Sequence, residues 1–307
     1  MRIKELLPQY LQYLHALGRS PHTIKGARYD LNAFIRFLDS ERVYELDDLN
    51  RDIIAEYQQD LAFRLTHKGT LLSIRSQSQL LTVVRGFTRF LKENDYLLND
   101  PGESIKLPRN PKKLPKCILT IEEVNKLLNA PDTRSNRGYR NRIMLEVLYD
   151  TGIRRSEVLG IMLKDMDLDA GYIQVLGKGN KERVVPLGKR VCDMIRSYTL
   201  SVRPHFIQGD DPGFLFLNRW GSQMHPNAVW AVVKGSAKLA RLKKNVSTHT
   251  LRHTCATHML RNGAPIRHIQ EMLGHESLES TQVYTRVTIN DLKEIHAKYH
   301  PSENLKE

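Results

Sequence analysis

Apolar residues in the first hundred positions recur at intervals of three and four. Ile24, Ala27, Leu31, Phe34, Ile35 and Leu38 trace one face of a helix that starts at Ser20 and Pro21, a serine cap followed by a first-turn proline. Leu7, Leu11 and Leu14 mark an earlier helix, and Ile53, Ile54, Tyr57 and Leu61 a third. Ile74, Leu81, Val84, Phe87 and Leu91 mark a fourth, closed by Asn94 and Asp95. The pattern predicts a four-helix module over residues 1–104. It then breaks: Pro101, Pro108, Pro111 and Pro115 forbid a long helix, and basic residues fill the gaps between them. Residues 105–116 read as an extended basic linker, and 117–307 as a second domain.

In that second domain Thr120, followed three residues later by Glu123, has the form of a capping box opening a helix through Leu128. A longer helix is expected over Arg140 to Tyr149. Tyr172 to Leu176 and Arg183 to Pro186 are short β-branched runs around the turn-forming Gly177-Lys178-Gly179-Asn180, which predicts a β-hairpin with Lys178 near its tip. From Val191 onward the patterns are helical again, apart from the apolar run Phe214 to Leu217. The fold class expected is mainly α with a small β-sheet: a helical N-terminal domain and a mixed helical domain with a hairpin.

Composition narrows the function. The chain has 307 residues, 47 of them Lys or Arg against 34 Asp or Glu, for a formal net charge of +13. Up to Asn110 there are 16 basic and 14 acidic residues; beyond it there are 31 and 20. A polyanionic partner, nucleic acid before a membrane surface, follows from that excess, and its binding surface is mostly C-terminal. The N-terminal stretch lacks the apolar core of a signal peptide, and no apolar run approaches the roughly 18 residues of a membrane span. A cytoplasmic, nucleoid-associated protein is expected. Cys117, Cys192 and Cys255 are too scattered for a disulfide framework or a paired-cysteine metal site.

Four segments could carry chemistry. In Thr151 to Glu157 a glycine turn places Arg154 at a helix boundary with Glu157 one turn on, where the carboxylate can aim the guanidinium. A guanidinium presents a planar fork of donors that matches two phosphate oxygens. Taken alone, the pair is better explained as a surface salt bridge. Lys178 at a hairpin tip could protonate a leaving oxygen, although plain turn lysines are common and the spacing of a phosphate-cradling P-loop is absent. His249, Arg252 and His253 share a helical face. A zinc reading of these histidines with Cys255 and His258 is weaker than an anion site, because Cys255 is off that face. His275 precedes Tyr284 by nine residues in a polar helical stretch.

Together these segments match a pattern. TGIRRSE from Thr151, GKGNKERVVPL from Gly177, HTLRH from His249 and LGHESLESTQVYTRV from Leu273 closely resemble, in this order, the signatures of tyrosine site-specific recombinases of the phage integrase family, especially the Xer-like branch. The N-terminal helices resemble that family's core-binding domain, and the His300-Pro301 pair resembles its C-terminal HP motif, with Ser302 where arginine is common. The resemblance implies a catalytic set of Arg154, Lys178, His249, Arg252, His275 and Tyr284. Glu157 would aim Arg154, and His253 would pack behind Arg252. Arg75, Arg85 and Arg89 of the fourth helix, with Lys112 and Lys113 of the linker, are candidate DNA contacts.

A phosphodiester is an anion with a poor leaving group, so a catalyst must neutralise charge and supply a proton. The two arginines and His275 suit the first task, Tyr284 the attack, His249 the role of base and Lys178 that of acid. No metal, ATP or other cofactor is then required. The partner implied is double-stranded DNA with two inverted half-sites. It would be gripped by a C-shaped clamp and exchanged by a homo- or hetero-tetramer formed from solution monomers, with the tail from about Asn290 to Glu307 docking on a neighbouring subunit. The competing readings are relaxation of supercoils in the manner of a type IB topoisomerase, and a DNA-binding protein that does not cleave.

Overall fold

The computed structural model describes residues 1–108, 117–177, 182–274 and 289–301. The chain divides into two compact units, 1–113 and 114–307, each with its own apolar core.

The first unit holds α1 (Ile3–Ala16), α2 (Pro21–Ser40), α3 (Arg51–Phe63) and α4 (Ile74–Glu93). Polar side chains satisfy the orphan amides where three of these helices begin: Ser20 Oγ accepts from Thr23 N at 3.2 Å, Asn50 Oδ1 from Asp52 N at 2.9 Å and Ser73 Oγ from Ser76 N at 3.1 Å. The predicted stripes of α2 and α3 face inward, closing on Phe34 and Tyr57 with ring centroids 4.8 Å apart. Two details differ. In α1 the buried face is Ile3, Leu6, Tyr10, Leu11 and Leu14, leaving Leu7 half-buried, because the aromatic Tyr10 swings the stripe toward Phe87, 5.4 Å away. Ile74 is 41% exposed, since it occupies the first position of α4, outside the packed turns. Ile105, expected at the head of the linker, is buried in this unit's core, while Lys106 O and Pro108 O accept from Gln58 and Ser78. The remainder of the linker segment, with Lys112 and Lys113, lies outside the described residues.

The second unit is built around α6 (Asn136–Thr151), which is buried continuously from Ile143 to Thr151. A helix buried all round has no amphipathic stripe, and its polar residues need internal partners. Arg140 donates to Leu217 O at 2.7 Å, Glu146 pairs with Arg142 at 2.7 Å and with Arg190 at 2.5 Å, and Asp150 accepts from Gly188 N at 2.9 Å. Before α6 comes α5 (Ile121–Leu128), whose start has the reciprocal Thr120 and Glu123 capping bonds. After it come α7 (Arg155–Gly160) and an antiparallel sheet of β1 (Met166–Asp167), β2 (Tyr172–Leu176) and β3 (Glu182–Pro186), in that order. The hairpin register places Ile173 opposite Val185 and Val175 opposite Arg183. Residues facing each other across a pair share a sheet face, so Arg183 lies on the side that also buries Ile173, Val175 and Val185. The hairpin tip with Lys178 is outside the described residues.

The unit continues with α8 (Lys189–Ser201), α9 (Pro226–Leu239), α10 (Thr248–Arg261), α11 (Ile266–Leu273) and α12 (Ile289–Tyr299). The described part of the tail packs on its own unit, against β3, α10 and α11. Its anchor is polar. His296 and His300, 1% and 2% exposed, stack with centroids 4.7 Å apart. Each donates from Nε2 to a carbonyl at the end of α6, Asp150 O at 2.9 Å and Tyr149 O at 3.1 Å. No helix among the described residues is long and apolar enough to cross a membrane.

Candidate functional site

The site grows from the end of α6. Gly152 caps that helix in the left-handed conformation at φ 60°, which favours glycine, and a Cβ there would lie 2.6 Å from Leu273 Cδ2. The turn delivers Arg154 to the start of α7, where the carboxylate of Glu157 accepts from Arg154 N and from Arg154 Nη1, each at 2.8 Å. One acidic side chain thus caps the helix and grips the guanidinium.

Glu157 also receives a second arginine. Arg183 of β3 donates Nη1 and Nη2 to the two carboxylate oxygens at 2.9 and 2.8 Å, a bidentate fork. The Glu157 side chain is 1% exposed and that of Arg183 15%. Burial alone would raise the carboxyl's pKa. The bonds from Arg183 and Arg154 outweigh it and hold the group well below the usual carboxylate range, at about 2.

Three arginines meet the end of α11 on successive carbonyls. Arg183 Nε donates to Met272 O at 3.0 Å, Arg252 Nη2 to Leu273 O at 2.7 Å and Arg154 Nη2 to Gly274 O at 2.8 Å. These carbonyls form the negative end of the helix dipole, where cations are favoured. Arg252, from the first turns of α10, also donates Nη1 to Gly152 O at 2.9 Å. Its pKa is pulled down to about 10, by burial first and then by the charges of Arg154 and Arg183. Glu157 is the carboxylate shared by Arg154 and Arg183. The cluster is a ready seat for an anion, and the residue that follows Gly274 is His275.

Among the predicted site residues, Arg154, Glu157 and Arg252 come together here. His249 lies in the same quarter, exposed on the first turn of α10. Burial of part of its ring, with His253, Arg252, Arg155 and Arg154 nearby, lowers its pKa, so its imidazole is neutral at neutral pH. His253 does not pack behind Arg252. It is exposed, because the single step along the chain from Arg252 turns it by about 100° on a helix with 3.6 residues per turn. Lys178, His275 and Tyr284 lie outside the described residues. Arg75 and Arg89 are exposed on α4 and Arg85 is half-buried.

The zinc reading of α10 fails on geometry. Cys255 is fully buried, its thiol facing Asp150 O, with burial pushing its pKa up. Both His258 ring nitrogens are taken, by Tyr149 Oη at 2.9 Å and Leu119 O at 2.9 Å. Asp150, His296 and His300 bring three potential ligand atoms within 4.8 Å of one another, but the imidazole planes are stacked only 3° from parallel and offer no common in-plane position for an ion.

Sequence reasoning missed Arg183. The available signal was the alternation of β3: an arginine on the same face as Val185 sits on the core side and needs a buried acceptor. It also missed the anchoring role of His296 and His300, whose partners lie about 150 residues away in the chain.

Comparison with known proteins follows the same lines. Residues 118–290 match the model of the phage integrase family, and 7–95 match that of the phage integrase N-terminal SAM-like domain. The chain is 36% identical over 297 residues to tyrosine recombinase XerD of Staphylococcus epidermidis, covering 96% of this chain and 98% of the relative. It is 35% identical over 300 residues to tyrosine recombinase XerD of Staphylococcus aureus, covering 97% and 99%. In fold it is similar to XerH site-specific recombinase bound to a palindromic difH substrate after cleavage, with TM-score 0.70 and 22% identity over 89% of this chain and 78% of that one. It is also similar to a lambda integrase fragment bound as a dimer to a core site, with TM-score 0.69 and 18% identity over 94% and 100%.

Proposed function

The chain belongs to the phage integrase family and is a tyrosine recombinase of the Xer-like kind, and from that premise we propose how its residues divide the work of cutting and rejoining DNA. Arg154 and Arg252 hold the scissile phosphate from two sides, stabilising the charge that builds on its non-bridging oxygens, and His275 adds a donor to the same oxygens. Tyr284 attacks phosphorus. A phenol with a pKa of about 10 is mostly protonated at neutral pH, so His249 takes its proton as the new bond forms. The bond to the 5′ oxygen breaks, and Lys178 gives that oxygen a proton. The 3′-phosphotyrosyl ester keeps the energy of the broken linkage, so a 5′ hydroxyl from a partner duplex can reverse the step without ATP or metal.

Strand exchange between two duplexes, each with two inverted half-sites, calls for four subunits, which assemble on DNA from monomers and pass through a Holliday junction. This reading puts the protein in the cytoplasm, on nucleoid DNA. Arg75, Arg85, Arg89, Lys112 and Lys113 add phosphate contacts.

The observation that carries the proposal is the pair of guanidiniums held on adjacent carbonyls, Arg252 on Leu273 O and Arg154 on Gly274 O, directly before His275. The test is a suicide duplex nicked near the cleavage point. Wild-type protein traps a denaturation-resistant adduct and Tyr284→Phe traps none. Equal yields overturn the role of Tyr284, and supercoil relaxation without exchange between two site copies overturns recombination.

A further inference from the structure

One cation in the cluster has no part in the chemistry just described. Arg183 has all three donor-bearing positions of its guanidinium engaged: two on Glu157, and Nε on Met272 O. Its side chain is largely buried, so it is poorly placed to receive a phosphate itself. It comes from the strand that follows the hairpin turn, five residues after Lys178 in the chain. Its partner Glu157 grips Arg154, and its other partner lies two residues before Gly274, which accepts from Arg154 in turn. Gly274 has φ 66°, and a Cβ on it would meet Arg183 Cζ at 3.1 Å. The guanidinium therefore closes directly on the turn that leads into His275.

We propose that Arg183 is a positioning residue for DNA cleavage, setting the angle of Arg154 through Glu157 and the end of α11 through Met272 O, so that hairpin, phosphate-binding arginine and the approach to His275 share one anchor. The inference rests on the proposed roles of Arg154, Lys178 and His275. Without Arg183, Glu157 keeps one cationic grip instead of two, and the Arg154 fork is free to rotate away from the phosphate. Positioning of this kind acts on the chemical step and leaves DNA affinity to the rest of the binding surface. It also gives the site a pH signature. The groups facing Glu157 are Arg154 from its own helix start, Arg183 from β3 and Arg252 from α10. Loss of one of them lets the buried carboxyl protonate at a higher pH.

The experiment uses full-length protein and a nicked duplex built on the sequence that wild-type protein selects from a random duplex pool. The rate of adduct formation at saturating DNA, the half-saturating DNA concentration and the pH dependence are measured for wild type, Arg183→Gln, Arg183→Lys, Glu157→Gln and the double Gln variant. Arg183→Gln is expected to cut on the order of 10–100-fold more slowly, the range for removing a hydrogen-bond partner that orients a metal-ligating side chain, with half-saturation within about two-fold of wild type. Its acidic loss of rate begins at a higher pH than in wild type, and that displacement disappears in the double variant. His249 titrates in every protein and cancels in the comparison.

Arg183→Lys recovers part of the rate, because an ammonium keeps charge at Glu157 without spanning both its oxygens and Met272 O. If Arg183→Gln melts below the assay temperature, Arg183→Lys carries the same pH comparison. Cleavage by Arg183→Gln at the wild-type rate overturns the proposal. So does a loss matched by weaker DNA binding, or a pH-independent loss additive with Glu157→Gln. Wild-type protein that traps no adduct brings down the proposed function and this inference with it.

Discussion

Arg252 donates to the carbonyl of Leu273 at 2.7 Å, across a gap of 21 residues between two different helices. The bond holds a buried guanidinium beside that of Arg154, which takes the next carbonyl along. Burial, and after it the like charge of Arg154, lowers the pKa of Arg252.

The fork geometry makes lysine a poor substitute. Arg154→Lys and Arg252→Lys are expected to retain DNA binding, measured by gel shift, and to lose roughly a hundred- to a thousand-fold in the rate of adduct formation, the range for removing a donor aimed at transition-state charge. Near wild-type cleavage by either variant would remove that arginine from the chemistry.

Gly152 combines a left-handed backbone with close contact to Leu273 Cδ2 at 2.6 Å from its absent Cβ. Gly152→Ala should destabilise the protein by on the order of 2–4 kcal/mol, adding backbone strain to overpacking. Because the same peptide carries the carbonyl that receives Arg252 Nη1, cleavage should fall as well. Urea unfolding and adduct trapping on one preparation test both.

Glu157 has a folded pKa near 2 against an ordinary value of 4.5. A depressed carboxylate stabilises the fold above its unfolded pKa, and that stability is lost as pH falls from about 4.5 through about 2. The contribution is on the order of 3 kcal/mol from the size of the shift. Glu157→Gln should therefore flatten the acid limb of stability against pH in that window, measured by denaturant titration at each pH.

His300 titrates in a different window. Burial, followed by the nearby His296, lowers its pKa to about 3, so the folded state holds it neutral. Its contribution is complete above the unfolded value of about 6.5 and is lost as pH falls below that toward 3. Since His296 and His300 tie α12 and the residue after it to the end of α6, acidification should release α12 first. Amide hydrogen exchange along α12 should accelerate between pH 6.5 and 4.5 after correction for the intrinsic rate, and uniform exchange across the second unit would count against this.

The basic residues of α4 predict a salt effect. Loss of each phosphate contact lowers the slope of log affinity against log salt by about 0.9. Arg85→Ala and Arg89→Ala should each do so without altering the rate of cleavage at saturating DNA. An unchanged slope would return these arginines to an ordinary solvated surface.

Much of the architecture was legible in the residue pattern because it depends on neighbours in the chain. Helix starts at Ser20 and Thr120, the inward stripes of α2 and α3, and the pairing of β2 with β3 all follow from local capping and periodicity. Arg154 and Glu157, three residues apart, were legible for the same reason. What only the folded chain decided was long-range. Arg183 meets Glu157 across 26 residues, the carbonyls of α11 collect three arginines from three elements, and His296 and His300 bond to carbonyls at the end of α6, about 150 residues earlier in the chain. No spacing rule reports such contacts, because a buried charge chooses its partner by where the packing brings an acceptor. A helix end or a carboxylate is available to any donor that arrives there.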